Sequence, residues 1–246
     1  MDMARRRIAS RDDDVLDGLG FLTSYGIAVP PAVVEALAAS PEYADEPQLD
    51  GTVRITRRIA GGTLCHVGHA VRLVLELQEA GWELPAGMSL GELLRCLLYH
   101  DLGKRQPELS PGDVVVPARV FEDGKRHASR SAALMARCGE RGRRVEELVR
   151  YHHHGAGELP ATLSPGVREA LPMVQLVDGL SAAVTRRDAA VYLVRDERCP
   201  VRMGVEEVHP GTGRVVYHMI AKTGGGGGNK SNIREHLPPT GRPVAG

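Results

Sequence analysis

Aromatic residues are scarce in this chain: two Phe, one Trp and six Tyr among 246 residues. Binding single-stranded nucleic acid by stacking needs aromatic side chains, so the sequence offers little for such a groove. Charge of one sign is missing as well. The 31 Lys and Arg balance 31 Asp and Glu, and a chain with no positive excess does not read as one that coats a polyanion. The four cysteines, Cys65, Cys96, Cys138 and Cys199, form no CxxC or other paired spacing. They are expected to be reduced thiols of a cytoplasmic protein; Cys65, although beside His66, reads as a small buried helix residue. No apolar run approaches the ~18 residues of a membrane span, and Arg5-Arg6-Arg7 lacks the apolar stretch that a secretory signal needs behind it. What is present is ordinary for a globular domain: 42% hydrophobic and 25% charged residues, and a length sufficient for one full core with appendages.

Four segments are expected. Residues 1–54 read as accessory helices. Residues 1–10 are taken as frayed; Ser10 caps an acidic first turn, Asp12-Asp13-Asp14, of a helix reaching Ser24. Pro30-Pro31 opens a short helix to Ala39, and the Pro- and Asp-rich stretch 40–53 reads as a loop. Residues 55–190 carry helices over Thr63–Ala80, from Ser89 into His100, over His127–Cys138 and Arg143–His153, and over Val167–Arg187, with Pro172 in the first turn of the part bearing Asp178. In residues 191–222, Val201–Val208 and Arg214–Ile220 flank a Pro-Gly turn and read as a β-hairpin. Residues 223–246, opening on Gly224–Gly228, read as a disordered tail.

Histidine, by contrast, is plentiful and ordered. Seven of the ten histidines are His66, His69, His100, His127, His152, His153 and His154; His209, His218 and His236 stand apart and read as surface residues. His100 is followed at once by Asp101. An imidazole and a carboxylate side by side offer nitrogen to a borderline transition metal and an oxygen able to bridge to a second.

The order His … His-Asp … His … His-His … Asp resembles the HD-domain metallohydrolase superfamily. The resemblance lies in His66-Val67-Gly68-His69-Ala70-Val71, Tyr99-His100-Asp101-Leu102-Gly103-Lys104, His127-Ala128-Ser129-Arg130-Ser131-Ala132, Val149-Arg150-Tyr151-His152-His153-His154 and Leu176-Val177-Asp178-Gly179-Leu180. It implies an all-α helical bundle, here with a small C-terminal β-hairpin. It also implies a ligand set of His66, His100, Asp101 and Asp178 for one metal. His127 with His152 or His153 resembles the dinuclear branch, in which Asp101 bridges two ions. His152 is the first choice as ligand, His153 as a catalytic or substrate partner, and His154 as a helix-end residue. His69, one turn beyond His66, reads as an alternative ligand, a substrate contact or simply a hydrogen-bonding residue. Two divalent transition-metal ions are implied, Fe or Mn ahead of Co, Ni and Zn.

Lys104 reads either as a solvated helix-end lysine or as a charge for a phosphate, and the His-Asp-x-Gly-Lys resemblance favours the latter. Arg186, Arg187 and Arg130 are candidate substrate contacts, with surface arginines as the other reading. The leading expectation is a phosphohydrolase acting on a nucleotide or other small phosphorylated metabolite. The run Val149–His154 is similar to the HD-GYP branch, yet Gly155-Ala156-Gly157-Glu158-Leu159-Pro160 stands where its Gly-Tyr-Pro would be. Two alternatives share the resemblance: a CRISPR-associated type of single-stranded nuclease, and a mixed-valent di-iron oxygenase. A small phosphorylated partner is expected, nucleic acid is not favoured, no membrane is expected, and a homodimer is compatible with the sequence.

Overall fold

The computed structural model describes residues 4–9, 16–196, 199–208, 215–221 and 234–235. The chain is mostly helical, but two antiparallel sheets accompany the helices. Among the described residues no helix is long and apolar enough to cross a membrane.

The core is built by four helices: α3 (Thr63–Glu79), α4 (Leu90–Tyr99), α7 (Arg143–Tyr151) and α8 (Pro165–Arg187). Their apolar stripes meet through Val67, Val71 and Val74, Leu93, Leu94, Leu97 and Leu98, Leu148 and Val149, and Val174 and Val177, all fully buried. This is the period-3.6 pattern read from the sequence. The start of α4 is a capping box: Ser89 Oγ accepts from Glu92 N, and Glu92 reaches back to Ser89 N. Ser164 caps α8, which spans the expected Val167–Arg187 and runs unbroken through Pro172. Two short helices, α1 (Leu16–Ser24) and α2 (Pro31–Ala39), add Leu22, Val33 and Leu37 to the same core. The expected cap at Ser10 and the acidic turn at Asp12–Asp14 lie outside the described residues. The remaining helices are α5 (Pro117–Val120) and α6 (Gly124–Arg137).

The all-α expectation is corrected at three places. Residues 43–58, most of them read as loop, form a hairpin of β2 (Tyr43–Pro47) and β3 (Val53–Arg58), to which β4 (Val114–Val115) adds a third strand. Period-two alternation is present in β3, with Val53 and Ile55 buried and Arg54 and Thr56 exposed. It spans too few residues to outweigh the Pro and Asp content around it. The second correction is β1 (Ala4–Ala9), in a segment taken as frayed. It pairs antiparallel with β5 (Ala190–Asp196), a partner too distant in sequence for local composition to reveal. Third, the C-terminal hairpin, β6 (Cys199–Val208) with β7 (Val215–Ala221), belongs to a five-stranded sheet of order β1-β5-β6-β7-β8, where β8 is Arg234–Glu235. The boundaries expected at 54/55 and 190/191 therefore fall inside β3 and β5. Apart from β8, the tail from residue 223 onward lies outside the described residues.

One glycine fixes how the small sheet meets the helices. Gly62 has φ of +56°, and a Cβ there would lie 2.2 Å from the Ser40 carbonyl oxygen, so only glycine lets the two backbones cross. Thr63 N then donates to Ser40 O at 2.9 Å. The crossing carries residues 40–45 past the N-terminus of α3, beside the histidine cluster.

Candidate metal centre

Six residues from five helices come together, with Asp101 between them. His66 comes from α3, His100 and Asp101 from the turn that ends α4, His127 from the first turn of α6, His152 from the end of α7 and Asp178 from the middle of α8. On one side, His66 Nε2 lies 3.1 Å from His100 Nε2 and 3.1 Å from Asp178 Oδ1, and His100 Nε2 lies 3.6 Å from that oxygen. Asp101 Oδ2 faces this group, 3.8 Å from His66 and 3.9 Å from His100. On the other side, Asp101 Oδ1 lies 3.0 Å from His127 Nε2 and 3.9 Å from His152 Nε2. His153 Nε2 completes this second group, 2.9 Å from His127 Nε2. The two sets that could each hold an ion are His66, His100 and Asp101, and Asp101, His127, His152 and His153.

The donor set fits a cation. Two ligand nitrogens each about 2.1 Å from one ion lie about 3.0–3.4 Å apart at tetrahedral or right angles, a separation shared by the His66–His100 pair. His152 Nε2 is buried with no hydrogen-bond partner among the described residues, and a buried imidazole nitrogen with an unused lone pair is suited to ligate a cation. The far nitrogens are held from behind. His100 Nδ1 lies 2.7 Å from Leu97 O, His152 Nδ1 2.7 Å from Val149 O, and His66 Nδ1 3.0 Å from Ser181 Oγ. A donor hydrogen bond at Nδ1 fixes the ring and leaves the Nε2 lone pair facing the site.

The electrostatics follow from burial against paired charge. Burial opposes ionisation of Asp101 and Asp178, yet Lys104 and His100 hold the first, and His100 and His66 the second, well below the usual carboxylate range. Burial likewise disfavours a charged His100, but Asp101 and Asp178 prevail and raise it to about 9. His152 is pushed down to about 3, by burial first and then by His153 and His100; burial also lowers His153, to about 4. The neighbouring carboxylates therefore favour the protonated form of His100, and binding a metal there would release that proton.

A close approach brings α6 to the His-Asp turn. A Cβ on Gly103 would stand 2.6 Å from Ser131 N and 2.7 Å from Arg130 Cβ. Gly103 N donates to Ser131 Oγ at 2.8 Å. Gly124 has a similar role beneath His153, whose ring would lie 2.7 Å from a Cβ there.

A cavity of about 400 Å³ opens beside the cluster, walled in part by Asp101, Lys104, His127, His153, Asp178 and Arg186. Its size lies within the range of about 300–1,000 Å³ typical of small-molecule sites. Lys104 is buried, not solvated: its Nζ lies 2.8 Å from Asp101 Oδ2 and 3.0 Å from Glu42 Oε2. Arg186 also pairs with Glu42. Three expected substrate contacts do not line the cavity. Arg130 is turned back, ion-paired with Glu122 and donating to Gly103 O at 2.9 Å. Arg187 faces Asp45 of β2 at 3.6 Å. His69 lies one turn from His66 but contacts Thr185 Oγ1 at 2.9 Å, so His66 and not His69 joins the cluster. His154 stacks edge-on against Tyr151, and neither it nor Cys65 belongs to a metal-holding group of the described residues.

Sequence reasoning missed Glu42, Ser131, Ser181, Asp45 and Gln106. Ser181, one turn after Asp178 on the same helix face, had a readable signal. Glu42 had none, because only the Gly62 crossing brings it to the site. Comparison with known families, curated proteins and solved structures finds no match to this chain.

Proposed function

We propose that the protein is a dinuclear phosphohydrolase of the HD type, cleaving a phosphate ester of a nucleotide or other small phosphorylated metabolite. The observation that carries the reading is the divided carboxylate of Asp101, one oxygen toward His66 and His100 and the other toward His127 and His152. His66, His100, Asp101 and Asp178 would hold one ion, and Asp101, His127 and His152 the other, a mixed nitrogen and oxygen shell suited to Fe or Mn. When bound, two such ions would supply an activated water and stabilisation of the attacking and leaving oxygens of a phosphoryl group.

The chain's own groups supply the remainder. Asp101 sets the spacing of the two ligand groups. The Lys104 ammonium has three N–H donors; two face Asp101 and Glu42, and the third is available to a phosphoryl oxygen where charge develops. His153, neutral at pH 7 and at the cavity wall, offers a lone pair to a water or leaving hydroxyl. The cavity's volume of about 400 Å³ suits a small substrate better than a strand of nucleic acid.

The test is elemental analysis and spin resonance of protein purified without chelator, followed by phosphate release from a panel of nucleotides and small phosphate esters. About two ions per chain, a redox-silent signal and Asp101-dependent phosphate release are expected. A mixed-valent iron signal with O₂ uptake would replace hydrolysis by oxygenase chemistry, and less than one ion per chain would remove the two-metal reading.

A further inference from the structure

We infer that the cavity beside the histidine cluster selects an ester whose alcohol half is rich in hydroxyl groups, a sugar or polyol phosphate, and that Asp45 and Gln106 read those hydroxyls. The inference rests on the phosphohydrolase reading for the fate of the ester, but not for its binding.

The cavity wall offers no surplus of positive charge. Its two cations, Lys104 and Arg186, share the carboxylate of Glu42. That carboxylate cannot easily withdraw. Glu42 is 2% exposed, its carbonyl accepts from Ile59 N at 2.8 Å, and the neighbouring Ser40 carbonyl accepts from Thr63 N. A polyanion therefore meets cations already compensated, whereas one phosphoryl group still finds the third proton of Lys104.

Acceptors without donors lie on the same wall. Asp45 Oδ1 and Gln106 Oε1 are buried and have no hydrogen-bond partner among the described residues. Arg187 Nε, at 3.6 Å from Asp45 Oδ1, is too far for a hydrogen bond. Glu42 Oε2 and Asp101 Oδ1 on the same wall also lack a hydrogen bond, but each lies 3.0 Å from a cationic or ligating nitrogen, of Lys104 and His127. Buried acceptors are normally satisfied, which leaves Asp45 and Gln106 as the pair suited to an incoming donor. Both are held by the fold. The β2–β3 register shifts between Ala44 and Asp45, and such a bulge re-aims the side chain it carries. The loop that follows Gln106 is fixed by Tyr43, whose hydroxyl donates to Pro107 O and accepts from Leu109 N, both at 2.9 Å. A neutral hydroxyl suits this wall better than an ammonium, because one of the two acceptors is an uncharged amide and Lys104 and Arg186 face the same space.

Two phosphate esters separate the possibilities: ribose 5-phosphate and n-pentyl phosphate, each with five carbons and one phosphate. Their binding is measured by ligand-observed NMR and calorimetry on chelator-treated protein. Ribose 5-phosphate is expected to bind about tenfold tighter or better, since a site built to receive hydroxyls rejects the analogue lacking them. Gln106→Leu and Asp45→Ala, which each remove an acceptor, should narrow the ratio to within about threefold, while Gln106→Glu, which keeps one, should preserve it. Equal binding of the two esters, no binding of ribose 5-phosphate, or a ratio untouched by Gln106→Leu overturns the inference. Metal is then restored and phosphate release measured. Selective binding without release removes the hydrolase reading and leaves this one standing; equal release from both esters does the reverse.

Discussion

Asp101 touches both halves of the candidate centre, and its replacement separates a bridging role from a structural one. Asp101→Ala is expected to lower metal content below one ion per chain and to abolish turnover. Normal metal content by elemental analysis, with full activity, would sink the bridging assignment. The variant also leaves Lys104 with Glu42 as its one remaining carboxylate, so stability should fall by about 3–5 kcal/mol, the usual effect of breaking a buried pair. His127 belongs to one half alone. His127→Ala should reduce stoichiometry from two toward one, and unchanged stoichiometry would make the centre mononuclear. Much of this was legible in the sequence, because His100 and Asp101 are adjacent and the other histidines follow at ordered spacing. The direction of each side chain was not. Arg130 sits three residues after His127, yet it turns away to Glu122 and Gly103 O, and no spacing rule announces a choice between a cavity and a neighbouring carboxylate.

Helices and strands place these residues with unequal transparency. The capping box at Ser89 and the apolar stripes of α3, α4 and α8 are local patterns, and the sequence displays them. The β2–β3 hairpin depends on pairing and on Gly62, and its contribution of Glu42 and Asp45 was hidden. The contact between α6 and the turn after α4 is a test at this scale. In Gly103→Ala the new methyl meets the backbone of Ser131 and Arg130, so α6 must shift as a unit. A loss of about 1–3 kcal/mol is expected from such overpacking, together with the ion held through His127 but not the one held through His66. Denaturant midpoints with metal analysis check both parts. A variant that keeps both ions would show that the helix position is not what sets the second half of the centre.

Across the whole molecule, the protonation of the metal-free centre sets an optimum of stability. His152 and His153 are held neutral in the fold, at about 3 and about 4, against about 6.5 in an unfolded chain. Between those values the unfolded state binds more protons, so their contribution falls as pH drops through 6.5. His100 behaves oppositely. Raised to about 9, it contributes fully below 6.5, and that contribution is lost as pH climbs toward 9. Chelator-treated protein should therefore have its highest urea midpoint near pH 6.5, lower at both 5 and 8.5. Saturating metal should lift the alkaline side by displacing the His100 proton. A midpoint that rises steadily from pH 5 to 8.5 without metal would contradict the protonated His100.

The helix α8 carries Asp178, then Ser181 against His66, then Thr185 against His69, then Arg186 against Glu42. All four are meshed like teeth on one rod. Insertion of a single residue between Asp178 and Arg186 would turn everything beyond it by about 100°, parting the arginine from its carboxylate while the aspartate stayed in place. A change of length is thus closed to this segment, whatever its side chains become.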